Sequence, residues 1–239
     1  RFLVLIAGAF MNILTAVIAM FFVVSSRGAY ISNTVNGYFV PSAAAGLQFG
    51  DRIVQVNDVP ITSKTAFETA ISDLGTELCD LTVLRNGETV VLEGIGFPQR
   101  YVNGAFTRVA DFEIDPETFT VTKYRAQSAE SGLMIGDTIL TVNSARVSGY
   151  SDIVWEIALA GSSPSSLTVQ RGDEIVAVND VYFPVTSESG VVMGEPDFSL
   201  ERRPLNGFFG TLGETFRESF STGKIIYRSL VELIAGRFG

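Results

Sequence analysis

Histidine is absent from the 239 residues, cysteine occurs once, and no run of lysine or arginine interrupts a net charge of −9. Each lack removes a class of function. Without histidine the chain holds no Ser-His-Asp triad, no Cys-His pair and no imidazole-ligated zinc site of its own. The single thiol, Cys79, forms no internal disulfide and has no histidine to activate it, so it reads as a buried structural cysteine. A sequence pI near 4.6 argues against a nucleic-acid partner, whose phosphates demand a basic face. Carboxylates are plentiful, but no pair stands apart from turns and surface helices. No self-contained catalytic site is visible.

Charge is also missing over residues 2–24, "FLVLIAGAFMNILTAVIAMFFVV". At about 1.5 Å per residue this run spans the roughly 30 Å hydrocarbon core with some tilt, and it predicts a transmembrane helix within 1–27. A secretory signal peptide is the competing reading, but its apolar region is usually about 7–15 residues long and no A-x-A site closes this one. Arg1 and Arg27 flank the run on both sides, so the positive-inside rule does not orient it. Asn12 is polar in its middle. It reads either as an interhelical hydrogen-bonding group or as a residue near the working site of a membrane enzyme.

What the remainder has in abundance is self-similarity. Residues 42–92 align with 128–178 at a constant offset of 86 without a gap, with 17 identities in 51 positions. Two copies make a tandem pair and not a solenoid. In each copy a short strand candidate, "TVNGYFV" or "TVTKYRA", precedes a small-residue turn at 42–46 or 128–132. Gly50-Asp51 and Gly136-Asp137 then turn into alternating strands, "RIVQVN" and "TILTVN". Helical patterns follow at 64–74 and 150–160, closed by Gly75 and Gly161, and each copy ends in an "LTV" strand, a turn and a last strand. "GDEIVAVNDV" at 172–181 matches "GDRIVQVNDV" at 50–59 in eight of ten positions. No "SAxxGL" precedes it, so it is a turn and a strand and not a third copy. The fold class is α+β, each copy a small β-barrel with one principal helix.

The stretch "SAAAGLQFGDRIVQVNDVPI" at 42–61 and its counterpart "SAESGLMIGDTILTVNSARV" at 128–147 resemble the PDZ domain in its bacterial, circularly permuted form. The resemblance implies tandem PDZ domains at 28–98 and 99–190, each binding an extended peptide by strand addition beside its helix. It places the receiving edge of the first on Val35, Asn36, Gly37, Tyr38, Phe39 and Val40, and that of the second on Val121, Thr122, Lys123 and Tyr124. Thr122 and Lys123 stand where the first copy has Asn36 and Gly37, so the second loop is expected to be stiffer. Gly46, Gly50, Asp51 and their counterparts Gly132, Gly136 and Asp137 read as turn-shaping residues and not as ligand contacts.

The two ends narrow the resemblance. "RFLVLIAGAFMNILTAVIAMFF" is similar to the second transmembrane helix of bacterial site-2 proteases, the RseP-type intramembrane zinc metalloproteases. Their A-G-P-x-x-N pattern is matched by Ala7, Gly8 and Asn12, with Ala9 where the family has proline. Residues 191–239 predict a linker and an amphipathic helix. Leu212, Phe216, Phe220, Ile226, Leu230 and Leu233 share one face, with Glu214, Arg217, Glu218, Lys224 and Arg228 mostly off it. Its aromatic and aliphatic content favours a helix resting on the bilayer over a plain surface helix.

By this resemblance the chain is the substrate-screening region of a site-2 metalloendopeptidase that cleaves transmembrane proteins such as anti-sigma factors. It would sit in the bacterial inner membrane with its PDZ pair on the extracytoplasmic, periplasmic side. The parent enzyme would hold zinc through an upstream HExxH helix and a downstream Asp. Neither is in this chain, which is expected to bind no cofactor and to be inactive alone. The implied partners are a membrane-spanning substrate or its peptide terminus, the lipid bilayer and the rest of the protease. A membrane-anchored PDZ adaptor without enzymatic activity is the alternative, and the PDZ portion of a trypsin-like stress protease is a third reading.

Overall fold

The structure, a computed structural model, describes residues 2–188 and 190–235. The apolar run forms one helix, α1 (Phe2–Arg27). Its stretch from Phe10 to Arg27 has a mean hydropathy of 1.7 and is only 6% buried, so by length and composition it is able to cross a membrane. Asn12 lies on it, exposed.

After α1 come β1 (Ala29–Tyr38), α2 (Pro41–Ala44), β2 (Arg52–Val56), β3 (Val59–Pro60), α3 (Lys64–Ser72), β4 (Cys79–Arg85) and β5 (Glu88–Ile95). Two hairpins follow, β6 (Gln99–Val102) with β7 (Ala105–Arg108) and β8 (Phe112–Ile114) with β9 (Val121–Tyr124). The order then recurs as α4 (Gln127–Glu130), β10 (Thr138–Val142), β11 (Ala145–Arg146), α5 (Tyr150–Ala160), β12 (Ser165–Arg171) and β13 (Glu174–Val181). The hairpin β14 (Val185–Glu188) with β15 (Val191–Gly194), the strand β16 (Phe198–Pro204) and the helix α6 (Gly207–Ile234) complete the chain.

The repeat holds at the level of register. Ile53 pairs with Val83 in β2 and β4, and 86 residues on Ile139 pairs with Val169 in β10 and β12. All four side chains point into a core because alternate residues of a strand share a face. Ser63 opens α3 by accepting the Ala66 N–H at 3.0 Å, and Phe67 and Ile71, one turn apart, are buried. In α5, Ile153 and Ile157 take the same places. The segment 172–181 is the turn and strand that pair with β12, the counterpart of β5 and not of β2.

The cores, however, divide the chain elsewhere than at residue 98. The first gathers Leu47, Ile53, Phe67, Ile71 and Leu81 with Phe97, Phe112, Ile114 and Val121. The second gathers Leu133, Ile139, Ile153, Ile157 and Leu167 with Phe198, Leu200 and, from the far end of the chain, Val35. The strand preceding each small-residue turn therefore serves the other unit. β1 lies between β10 and β16 of the second unit, and β9 pairs with β8 of the first. Two tyrosines at the 86-residue offset mark the exchange. The Tyr38 hydroxyl donates to the carbonyl of Leu133, and that of Tyr124 donates to the carbonyl of Leu47, the position equivalent to Leu133. The first unit, 41–125, is thus inserted between β1 and the remainder of the second.

Two buried aspartates hold the crossings. The Ser42 N–H donates to Asp111 Oδ2 at 2.8 Å, while the Asp111 carbonyl accepts the Arg125 N–H at 2.7 Å, so one residue grips the chain where it enters the first unit and where it leaves. Asp197 does the same for the second unit, taking the Ser128 N–H on its carboxylate and the Phe39 N–H on its carbonyl. A second pair closes the repeated turn. Arg85 binds Asp51 through two nitrogens at 2.8 and 2.7 Å and the Gly46 carbonyl at 2.7 Å, and Arg171 binds Asp137 and Gly132 in the same way. Gly46 and Gly132, at φ +98° and +99°, turn those carbonyls toward the guanidinium in a conformation that side chains disfavour.

Candidate peptide-binding groove

Strand addition needs an edge, and at Val35 β1 has none to offer. Its far half bonds to β16 through the pairs Val35–Leu200, Gly37–Ser199 and Tyr38–Phe198. On the other side the Val35 N–H donates to the Asp137 carbonyl and the Val35 carbonyl accepts the Gly136 N–H, both at 2.8 Å. Val35 is buried, Asn36 is exposed, and Phe39 and Val40 lie at the crossing between the units. β9 is held as well. Val121, Lys123 and Tyr124 pair with β8, and Val121 exchanges bonds with Gly50 and Asp51 ahead of β2. Thr122 and Lys123 face solvent. Val35 and Val121 are thus bonded on both sides, because each strand closes the neighbouring unit, while Gly37 and Tyr38 pair with β16, and Lys123 and Tyr124 with β8, on one side.

The free edge beside the helix of the first unit is β8. Among the described strands it pairs only with β9, and its other side faces α3 across a groove of about 210 Å³. Phe67 and Ile71 from α3 and Phe112 and Ile114 from β8 form the apolar floor, with the Phe67 and Phe112 rings 5.4 Å apart. At one end stand Lys64 and Glu68, paired at 3.8 Å, and Glu113 with Arg125, paired at 3.7 Å. Arg125 also binds Glu130 of α4. All four groups are well exposed, so these pairs add little stability and leave the rim adaptable.

The other end is the loop formed by Arg108, Val109 and Ala110. Arg108 donates to the carbonyls of Thr76 and Phe97, while its Nε is buried without a partner. Among the described residues no carboxylate pairs with it. Partial burial pulls its pKa below the usual guanidinium value. A guanidinium held in place with no carboxylate beside it suits an incoming anion.

The second unit differs at the equivalent place. Offset by 86, the counterpart of Arg108 is Gly194. A Cβ there would lie 2.5 Å from the Ile157 carbonyl oxygen and 3.2 Å from that of Gly161. The absence of a side chain lets β15 rest its backbone on the end of α5, where the first unit has Arg108. Cys79, packed in the first core, has its thiol pushed up to about 12 by burial, so it stays protonated and is no nucleophile.

The arrangement of small-residue turn, strand, helix and terminal hairpin now has a counterpart among known families. Residues 16–93 match the PDZ domain family. None of the curated proteins matches the chain. The PDZ match takes in the end of α1, then β1, and the first unit as far as β5, so it follows chain order across the exchange. PDZ domains bind peptide termini of partner proteins as an added strand, which gives this chain a peptide-binding, regulatory role. β8 and Arg108 lie beyond the matched span. One signal for them was open in the sequence: Phe97-Pro98 and Asp111-Phe112 recur as Phe183-Pro184 and Asp197-Phe198, which carries the 86-residue offset past the aligned block.

Proposed function

We propose that the groove between α3 and β8 receives the C-terminus of a partner protein as a strand added to β8, with its terminal carboxylate at Arg108. The observation that carries this reading is the open groove ending at Arg108, which is held by the carbonyls of Thr76 and Phe97 and has no carboxylate partner among the described residues. The apolar floor suits an aliphatic or aromatic last side chain. The second unit repeats the PDZ pattern in circularly permuted form but has Gly194 in place of Arg108, so it offers no cation there for a carboxylate and acts as the frame that carries the receptor.

The role is best accounted for as substrate screening in a membrane-embedded site-2 zinc metalloprotease of the bacterial inner membrane. An apolar helix carrying Ala7, Gly8 and Asn12 leads directly into the PDZ units, on the extracytoplasmic side in this reading. The zinc and its ligands would lie outside this chain, and its substrates would be transmembrane proteins such as anti-sigma factors. A screen suits this chemistry, because a peptide bond in lipid is protected by its helix and cleavage requires local water and an unwound segment.

Fluorescence anisotropy with labelled peptides tests the groove. A peptide with a free C-terminus should bind, its amidated form should bind at least tenfold more weakly, and Arg108→Gln should erase the difference between them. Equal affinity for both forms would show that the groove reads no carboxylate and that the pair works as a steric filter.

A further inference from the structure

α6 is amphipathic with its polar side turned inward. Ser221 donates to Asp152 Oδ1 at 2.9 Å, Lys224 donates to the Arg146 carbonyl at 2.7 Å, Arg228 pairs with Glu156, and Arg217 donates to the Ile31 carbonyl at 3.1 Å. The opposite side carries Phe209, Phe216, Phe220 and Tyr227, which are 84%, 57%, 71% and 69% exposed. Their spacing of seven, four and seven residues makes a single stripe along the helix. A soluble helix places these faces the other way round, so this stripe has an apolar partner.

Two observations say which partner. First, α6 begins against α1: the Phe208 ring lies 5.7 Å from Phe21, and Val24 is buried at their junction. Phe21 precedes Arg27 by six residues, about 9 Å along a helix axis, which places the start of α6 within the roughly 5–10 Å depth at which interfacial helices rest. Second, the exit of α1 is basic in a chain of net charge −9. Arg202 donates to the carbonyl of Arg27, and β16 pairs Arg202 with Ile31 and Arg203 with Tyr30, so three exposed arginines collect within a few residues of the end of the apolar run. Arg203 is neutralised by Glu201 at 2.7 Å, which leaves Arg27 and Arg202 without a carboxylate among the described residues.

We propose that this junction is a binding site for anionic phospholipid: Arg27 and Arg202 take headgroup phosphates while the aromatic stripe of α6 lies in the acyl boundary. The proposal rests on α1 spanning a bilayer. It orients the molecule, because the second unit then rests on the membrane through α6 and the first unit is held beyond it.

The test uses the whole chain in vesicles of phosphatidylcholine alone or mixed with phosphatidylglycerol. A dye on Phe220→Cys, with Cys79 buried and unreactive, should be quenched by brominated lipid. Phosphatidylglycerol should be enriched in the lipid retained on purification, by about fivefold for each arginine near the surface. Arg27→Gln with Arg202→Gln should remove that enrichment while the chain still resists alkaline extraction. An unquenched dye in a chain that resists extraction overturns the lipid-facing α6 but not the membrane reading. Enrichment unchanged in the double variant overturns the phosphate site. A chain that washes off at alkaline pH overturns the membrane reading and the proposal together.

Discussion

Asp51 and Asp137 are as buried as Asp111 and Asp197, yet the two pairs respond to pH in opposite directions. Burial alone would raise the Asp51 and Asp137 carboxyls, but the hydrogen bonds from Arg85 and Arg171 outweigh it and hold both below the usual value. Burial dominates at Asp111 and Asp197, where backbone N–H groups of Ser42 and Ser128 only partly offset it, and both are raised. A lowered carboxyl stabilises the fold above the unfolded value of about 3.9 and loses that contribution as pH falls through its own pKa. A raised one contributes fully below about 3.9 and loses it as pH climbs through its raised value. Urea unfolding across acid and neutral pH should therefore show two limbs. Asp111→Asn with Asp197→Asn should flatten the decline on the rising-pH side and leave the acid limb unchanged. Arg85→Ala should lower stability at neutral pH and shrink the acid limb, because it leaves the buried Asp51 carboxylate without its cation. Gly194→Ala must move either β15 or the end of α5, and is expected to cost about 1–3 kcal/mol in the same measurement.

At the scale of elements, the helices were the most legible part and their partners the least. The 3.6-residue spacing of Phe67, Ile71 and Leu74, with Gly75 behind them, marks α3 and the helix side of the groove. The strand side is three residues long, too short for any period, and only the recurring Asp-Phe pair points to it. For α5 the sequence misleads in a physical way. Asp152 and Glu156, four residues apart, have the look of a solvated face but are 1% and 5% exposed, because α6 brings Ser221, Lys224 and Arg228 onto them. Charge complementarity between elements far apart in the chain leaves no local trace. The brace makes a prediction: Arg228→Ala leaves Glu156 buried without its cation and should release the last turns of α6. Hydrogen exchange there should rise severalfold while β10 and β12 stay protected, and Arg228→Lys, which keeps the charge without the fork, should restore part of the protection.

At the scale of the whole molecule, the repeat told how many units there are but not which strand belongs to which. Self-similarity at a fixed offset is indifferent to exchange, since β1 and β9 have equivalent sequences and each completes an equivalent sheet. What breaks the tie is connection: the second unit takes β1 because β16 pairs with both its ends, Ala29–Pro204 to Ile31–Arg202 and Val35–Leu200 to Tyr38–Phe198, and this pairing also brings α1 beside α6. The exchange has a consequence for dissection. A fragment of 28–98 carries β1 without its sheet and lacks Phe112, Ile114 and Val121 of the first core, so it should fail to fold. A fragment of 41–125 contains that core, its own β8 and β9 and both partners of the Asp111 clip, and should unfold cooperatively and retain the peptide-binding groove. Deleting 41–125 and joining residues 40 and 126 through a short flexible linker should leave the second unit folded, because Phe39 and Ser128 are both tied to Asp197. Thermal unfolding followed by near-ultraviolet circular dichroism separates these outcomes. A folded 28–98 fragment or an unfolded 41–125 fragment would show that each unit keeps its own preceding strand.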